Sequence, residues 1–136
     1  MVTKQFPAHD RTTNKGKGFT LIELLVVLAI IATLLTLVAP RYFGSVDRAK
    51  AAALKENLHA IREAVDKYFA DTGKYPDGIE ALVKANYLRK LPVDPVTERA
   101  DTWIIIPPTD SKLDGVYDVK SGASGRSPDG TPFQQL

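Results

Sequence analysis

Hydrophobic residues dominate one segment near the start of the chain, from Leu21 to Ala39. The only polar residues within it are Glu23, Thr33 and Thr36. Nineteen residues at about 1.5 Å each form a helix of roughly 28 Å, which is about the thickness of a bilayer core. The pattern therefore predicts one transmembrane helix.

Beyond Pro40 the apolar positions become periodic instead of continuous. They recur on one helical stripe, and the charged residues fall mostly off that stripe. Because a proline near a membrane end can be accommodated as a bend, we expect a single helix of about 50 residues that continues through Pro40 and ends at Gly73. The stripe comprises Phe43, Val46, Leu54, Leu58, Ile61, Val65 and Tyr68.

Shorter elements follow this helix. The residues from Pro76 to Glu80 predict a turn into a helix that runs to about Ala85, with Asp77 as its N-cap. Two runs rich in β-branched and aromatic residues, 102–106 and 116–119, predict strands. Residues 121–136 are rich in glycine and proline and predict an ordered loop or a loose tail.

Together these elements predict an α+β fold. A long N-terminal helix, with a transmembrane half and an amphipathic half, would pack on a small antiparallel β-sheet. Trp103 lies beside isoleucines in the first strand and is expected in the core.

The charge of the chain is concentrated in its first 18 residues. The whole chain has 18 basic and 16 acidic residues, and without residues 1–18 it has 14 and 15. The small basic excess therefore gives no indication of nucleic-acid binding, and it instead predicts a cytoplasmic N-terminus. The basic residues are Lys4, Arg11, Lys15 and Lys17, against the single acid Asp10.

Glu23 is the residue of this segment that most requires an explanation. A carboxylate in an apolar membrane segment costs on the order of 2.5–3.5 kcal/mol near the bilayer centre, and less near an end. It therefore needs a partner. A cut between Gly18 and Phe19 would create an α-ammonium four residues before it.

The run from Gly18 to Glu23, GFTLIE, resembles the processing site of type IV prepilins and of the pseudopilins of type II secretion. The resemblance implies cleavage after Gly18 by a prepilin peptidase, N-methylation of Phe19 and retention of the apolar helix. An ordinary secretory signal would instead carry a small-residue site after the apolar run. The alternative is a plain signal anchor with a chance Gly-Phe-Thr.

Later segments resemble the family of the major type II secretion pseudopilin, protein G of the general secretion pathway. Residues 87–95 are similar to its Y-[IL]-x-x-L-P-x-D-P segment, residues 74–76 to its [RK]-Y-P, and residues 115–122 to its G-x-Y-D-[LVI]-x-S motif. Residues 96–98 depart from that family, in which a Trp-Gly pair is typical. The chain has no cysteine, unlike many type IV pilins, which favours a pseudopilin.

The resemblance implies three regions and a location. Residues 1–18 would be a cleaved leader, residues 19–40 the transmembrane and filament-core half of the helix, and residues 41–136 a periplasmic pilin-like domain that includes the rest of the helix. The protein would cross the bacterial inner membrane once, with its N-terminus in the cytoplasm, and would enter a periplasmic pseudopilus.

The implied function is that of a structural subunit that polymerises into a pseudopilus and drives protein export across the outer membrane. Its implied partners are further copies of itself, minor pseudopilins, the prepilin peptidase and an inner-membrane assembly platform. Two alternatives remain open. One is a type IV pilin or minor pilin used for adhesion, motility or DNA uptake. The other is an anchored periplasmic binding module that never polymerises, which would give Glu23 no role.

Catalytic chemistry is not indicated by the sequence. The two histidines are His9, in the leader, and His59, on the polar side of the long helix. An isolated histidine forms neither a catalytic triad nor a zinc site. The charged pairs Arg62 with Asp66 and Glu63 with Lys67 are expected to be neighbours on the helix surface.

Calcium is the one metal for which the sequence offers candidate ligands. The related family has an acid-rich C-terminal loop associated with calcium, whereas this chain has Arg126 in that loop. Calcium takes six to eight oxygen ligands, and the nearby carboxylates are only Asp114, Asp118 and Asp129. Turn and strand-surface roles for these three are favoured, so calcium stays possible but no cofactor is assigned.

Overall fold

The computed structural model of the protein describes residues 1–8 and 16–136. Four residues of the predicted leader, His9, Asp10, Arg11 and Lys15, lie outside the described residues. The chain divides into two compact units, Met1–Val38 and Ala39–Leu136.

Helix α1 spans Leu21–Thr72, a length of 52 residues, and continues through Pro40. At its end the Phe69 carbonyl accepts a hydrogen bond of 2.8 Å from the N–H of Gly73, which has a φ of 71°. Glycine adopts this left-handed conformation without the steric cost of a Cβ. The predicted helix length and the predicted end are both confirmed.

The apolar part of α1, which lies in the first unit except for Ala39, is exposed on all sides. Every residue from Leu21 to Ala39 is exposed, and by length and composition this segment is able to cross a membrane. The hydroxyls of Thr33 and Thr36 donate to the carbonyls four residues earlier, each at 2.8 Å. Two of the three polar side chains in the segment are thus satisfied within the helix itself.

In the second unit the same helix contributes a buried stripe. Leu54, Leu58, Ile61 and Val65 are fully buried, as the helical spacing predicted. The earlier part of the predicted stripe does not join the core, because Phe43 is 66% exposed and the burial on this face begins at Ala51. The other buried core residues are Ala64, Ile79, Leu82, Trp103, Val116 and Val119.

The second helix, α2, spans Ile79–Lys84, close to its predicted position. The predicted N-cap, Asp77, is wrong. Gly78 takes that position in an extended conformation, and no side chain caps the helix. The Gly78 carbonyl accepts the N–H of Ala81 at 3.1 Å, so the helix starts one residue later than Asp77 would allow.

Strands β1, Trp103–Ile106, and β2, Asp118–Ser121, form a two-stranded antiparallel sheet in which Trp103 lies opposite Ser121. This arrangement confirms the α+β fold. The predicted position of β2 was two residues too early. The N–H of Val116 donates to the Pro76 carbonyl at 2.8 Å, which keeps that residue out of the sheet.

Gly115 allows this close approach between two loops. A Cβ at this position would lie 2.7 Å from the Pro76 carbonyl oxygen, and its φ of 110° also favours glycine. Because residues 115 and 116 lie against Pro76, the pairing of β2 with β1 begins only after them, at Asp118.

The C-terminal residues form an ordered loop, one of the two predicted alternatives. Arg126 pairs with Pro132 in an isolated β-bridge, and a short 3-10 helix spans Phe133–Gln135. Trp103 is buried as predicted, and its indole N–H donates to the Pro92 carbonyl at 2.9 Å.

Candidate functional site

The predicted cleavage site lies immediately before α1. Gly18, Phe19 and Thr20 are exposed and carry no regular secondary structure, and the helix begins at Leu21. The Phe19 ring is 93% exposed. The peptide bond between Gly18 and Phe19 is therefore outside the helix and between two exposed residues.

Thr20 and Glu23 form a reciprocal cap at the start of α1. The Glu23 carboxylate accepts the Thr20 N–H at 2.8 Å and the Thr20 hydroxyl at 3.1 Å. In return, the Thr20 hydroxyl accepts the Glu23 N–H at 3.2 Å. This is the capping box, in which two otherwise unpaired N–H groups of the first turn are satisfied by side chains.

The cap explains why the helix starts at Leu21. The Thr20 carbonyl accepts the N–H of Leu24 at 3.2 Å, which is the first hydrogen bond of the helix. A carboxylate in the first turn is also favoured by the helix dipole. Thr20 was missed by the sequence reasoning, although Thr-x-x-Glu directly before an apolar run is the signal that identifies it.

Phe19 and Glu23 lie on a common surface. Together with Ile22, Leu24, Val26 and Val27 they line a shallow groove of about 670 Å³. It combines one carboxylate with apolar side chains, so it is suited to a partner that presents both a positive charge and an apolar helix face.

Two of the three calcium candidates form ion pairs with cations of α1. Asp118 forms an ion pair of 2.7 Å with Arg62, and Asp129 lies 3.5 Å from the Lys55 ammonium, while Asp114 is exposed. Within residues 1–8 and 16–136, no three His, Cys, Asp or Glu side chains form a group that could hold a metal ion. These residues do not fit a calcium site.

The expected pairing of Arg62 with Asp66 is wrong, because the Arg62 guanidinium contacts Asp118 across the fold. The other expected helix pair, Glu63 with Lys67, is confirmed at 2.9 Å. The role of Arg62 could not be read from its spacing, since its partner lies 56 residues away. His59 is exposed on α1.

Comparison with known families gives two matches that together cover most of the chain. Residues 13–39 match the family described as the prokaryotic N-terminal methylation motif. Residues 41–131 match the family described as type II secretion system protein G. The first match covers the predicted cleavage site and the apolar part of α1, and the second covers most of the folded unit that follows.

Individual relatives agree with these matches. The type II secretion system core protein G of Escherichia coli K12 is 32% identical over 136 aligned positions, which cover 88% of this chain and 87% of the relative. The protein of the same name from Pseudomonas aeruginosa is 42% identical, over 60% of this chain and 69% of its own length. No solved structure matches the chain.

Proposed function

The chain belongs to the type II secretion system protein G family and is a pseudopilin subunit of type II secretion; we propose that it polymerises through the start of α1 once residues 1–18 have been removed. In this proposal the prepilin peptidase cuts between Gly18 and Phe19, and Phe19 is then N-methylated. The exposed segment ahead of α1 and the match to the N-terminal methylation motif support this order of events.

The observation that carries the proposal is the position of Glu23. It is the one carboxylate in the exposed apolar run from Leu21 to Ala39, and its hydrogen bonds within the described residues are to Thr20. That local cap satisfies two N–H groups, and within the described residues no lysine or arginine forms an ion pair with the Glu23 carboxylate. The ammonium created at Phe19 of a neighbouring subunit would supply a cation.

The energy of such a pair explains why assembly would depend on it. A charge in a low-dielectric environment is strongly destabilising when unpaired, and removing one partner of a buried pair typically costs about 3–5 kcal/mol. In a stack of subunits, each Glu23 would meet the Phe19 ammonium of the next copy. The apolar faces of α1 would then pack against one another and replace lipid contacts with protein contacts.

The proposed topology follows from the two ends of the apolar segment. Residues 19–40 would cross the inner membrane and later form the filament core, and residues 41–136 would lie in the periplasm. The basic leader, with Lys4 and Lys17, supports a cytoplasmic N-terminus. The mature chain would thus be a membrane protein until it is extracted into the filament.

The proposed role in the machine is structural rather than catalytic. Copies of this chain, together with minor pseudopilins, would grow from an inner-membrane assembly platform driven by a cytoplasmic ATPase. The growing filament would act as a piston or plug that moves folded substrates through an outer-membrane pore. A pilus for adhesion, motility or DNA uptake and a non-polymerising binding module are not favoured, because the two relatives described above are both named for type II secretion.

Glu23→Gln tests the proposal directly. The amide keeps the size of the side chain but cannot neutralise a buried ammonium, so we expect normal cleavage and insertion with at least about a tenfold loss of filament. The measurements are the mass of the mature N-terminus and the amount of sheared filament. Secretion should fall together with assembly.

Glu56→Gln is the matched control, because Glu56 is an exposed glutamate farther along the same helix. It should assemble as the wild type does. Normal filaments built from correctly cleaved Glu23→Gln protein would refute the assembly role. Uncleaved Glu23→Gln protein would show instead that Glu23 serves recognition by the peptidase.

A further inference from the structure

One guanidinium connects the C-terminal region to the long helix. The Arg62 Nε donates to Asp118 Oδ1 at 2.7 Å, and its Nη2 donates to the carbonyls of Val119 and Leu136, each at 3.0 Å. The Arg62 side chain is only 35% exposed. A single cation thus holds both strand β2 and the last residue of the chain.

A second cation from the same helix reaches the loop that follows β2. Lys55 lies seven residues before Arg62, about two turns earlier and therefore on nearly the same face. Its ammonium is 3.5 Å from Asp129 Oδ2, although both side chains are more than half exposed. Screening by solvent makes such a pair weak, so Arg62 is the main contact and Lys55 an auxiliary one.

The Asp129 carboxylate also accepts hydrogen bonds from within the loop. Asp129 accepts bonds from the Ser127 hydroxyl and, at 3.0 Å, from the Thr131 N–H. The bond from Ser127, followed by the contacts with Thr131, holds the pKa of Asp129 well below its usual range. The carboxylate is therefore ionised and already surrounded by donors without a metal.

Three carbonyl oxygens of this loop are also engaged. The Gly130 carbonyl accepts the Arg126 guanidinium at 2.8 Å. The carbonyls of Ser127 and Thr131 accept backbone N–H groups at 2.8 Å each. Calcium needs six to eight oxygens directed at one point, whereas here the oxygens point toward N–H groups and cations of the protein.

We propose that α1, and not a divalent cation, holds the C-terminal region of this chain, so that the fold is independent of calcium. Arg62 binds β2 and Leu136, and Lys55 reaches Asp129 in the loop. The positive charge that neutralises Asp118 and Asp129 comes from α1 itself. The loop should then keep its conformation whatever the free calcium concentration in the periplasm.

Thermal unfolding of the full chain in detergent, with excess EGTA or with saturating calcium, tests this proposal. We expect the same Tm in both conditions. A ligand present at about a hundred times its Kd would raise the Tm of a domain of this size by roughly 10 °C or more. A rise with calcium that EGTA reverses and magnesium does not reproduce would overturn the proposal.

Arg62→Met removes the cation while retaining an apolar side chain about as long as the aliphatic part of arginine. We expect a loss of about 5–10 °C in Tm and faster amide hydrogen exchange in residues 118–136. Arg89→Met is the matched control, since Arg89 is exposed, and it should leave both measurements unchanged. Equal behaviour of the two variants would refute the role of Arg62.

Arg62→Lys keeps the experiment informative if Arg62→Met does not fold. Lysine retains the charge but cannot direct donors at three oxygens at once, so the proposal expects a Tm between those of the other two proteins. A Tm equal to that of the wild type would show that the three-way contact is not what holds the loop. The calcium comparison on the wild-type chain is independent of every variant.

Discussion

Two apolar regions of the same helix behave in opposite ways. Between Leu21 and Ala39 the side chains of α1 are exposed on all sides, whereas between Leu54 and Val65 the apolar stripe is completely buried. The difference lies in the pattern rather than in the amount of hydrophobicity. A helix that is apolar all round can be satisfied only by lipid or by other helices, and a helix with one apolar stripe can complete a core within its own chain.

One region therefore forms a hydrophobic core from its own residues, whereas the other needs lipid or further helices to cover its apolar side chains. The unit Ala39–Leu136 contains its own core and its own satisfied polar groups. The apolar half of α1 has no core of its own, although its threonines are hydrogen-bonded within the helix. Substitutions should accordingly affect folding in the one region and insertion or assembly in the other.

The largest effect on folding should come from Leu58→Ala, which removes a fully buried side chain from α1. We expect the free energy of unfolding to fall by about 2–5 kcal/mol, through lost burial and the cavity that remains. Denaturant unfolding of the protein in detergent, followed by the fluorescence of Trp103, measures this change.

Leu28→Ala is the matched control in the other region. Leu28 is 58% exposed, and the same change in composition should leave the unfolding free energy within about 0.5 kcal/mol of the wild type. If the two variants were equally destabilised, the two regions would not be energetically separate.

Asp94→Ala should have the next largest effect. Asp94 is fully buried, and its carboxylate accepts the N–H groups of Val96 and Thr97 and, at 2.5 Å, the Ser121 hydroxyl. Leaving these donors unpaired should cost about 1–3 kcal/mol. The same unfolding measurement applies.

Asp101→Ala provides the control for Asp94, because Asp101 is an exposed aspartate. It pairs with Arg99 on the surface, and exposed pairs contribute little to stability. We therefore expect a change of less than about 1 kcal/mol. A stable Asp94→Ala protein would mean that the buried carboxylate is not what ties the 94–97 turn to β2.

The smallest effect should come from Thr20→Ala, which removes half of the capping box. Loss of an N-cap side chain costs about 1 kcal/mol locally, so amide exchange in the first turn of α1 should accelerate about fivefold. The Tm of the second unit should not change. Thr33→Ala, which removes a hydroxyl inside the same apolar run, should leave exchange in that first turn unaltered.

The sequence by itself determined the features that depend on local pattern. The continuous apolar run predicted the exposed half of α1, the helical spacing predicted the buried stripe, and Gly73 marked the end of the helix. These succeeded because helix periodicity and glycine C-caps act within a few residues. Thr20 could have been found in the same way, since a capping box is also a local signal.

Only the tertiary structure decided what depends on distant partners. Strand β2 starts at Asp118 because Val116 is bonded to the Pro76 carbonyl, a contact that no alternation of side chains reveals. Likewise Arg62 faces Asp118 rather than Asp66. Spacing along a helix fixes which residues share a face, but the element packed against that face determines which of them become buried and which charges they meet.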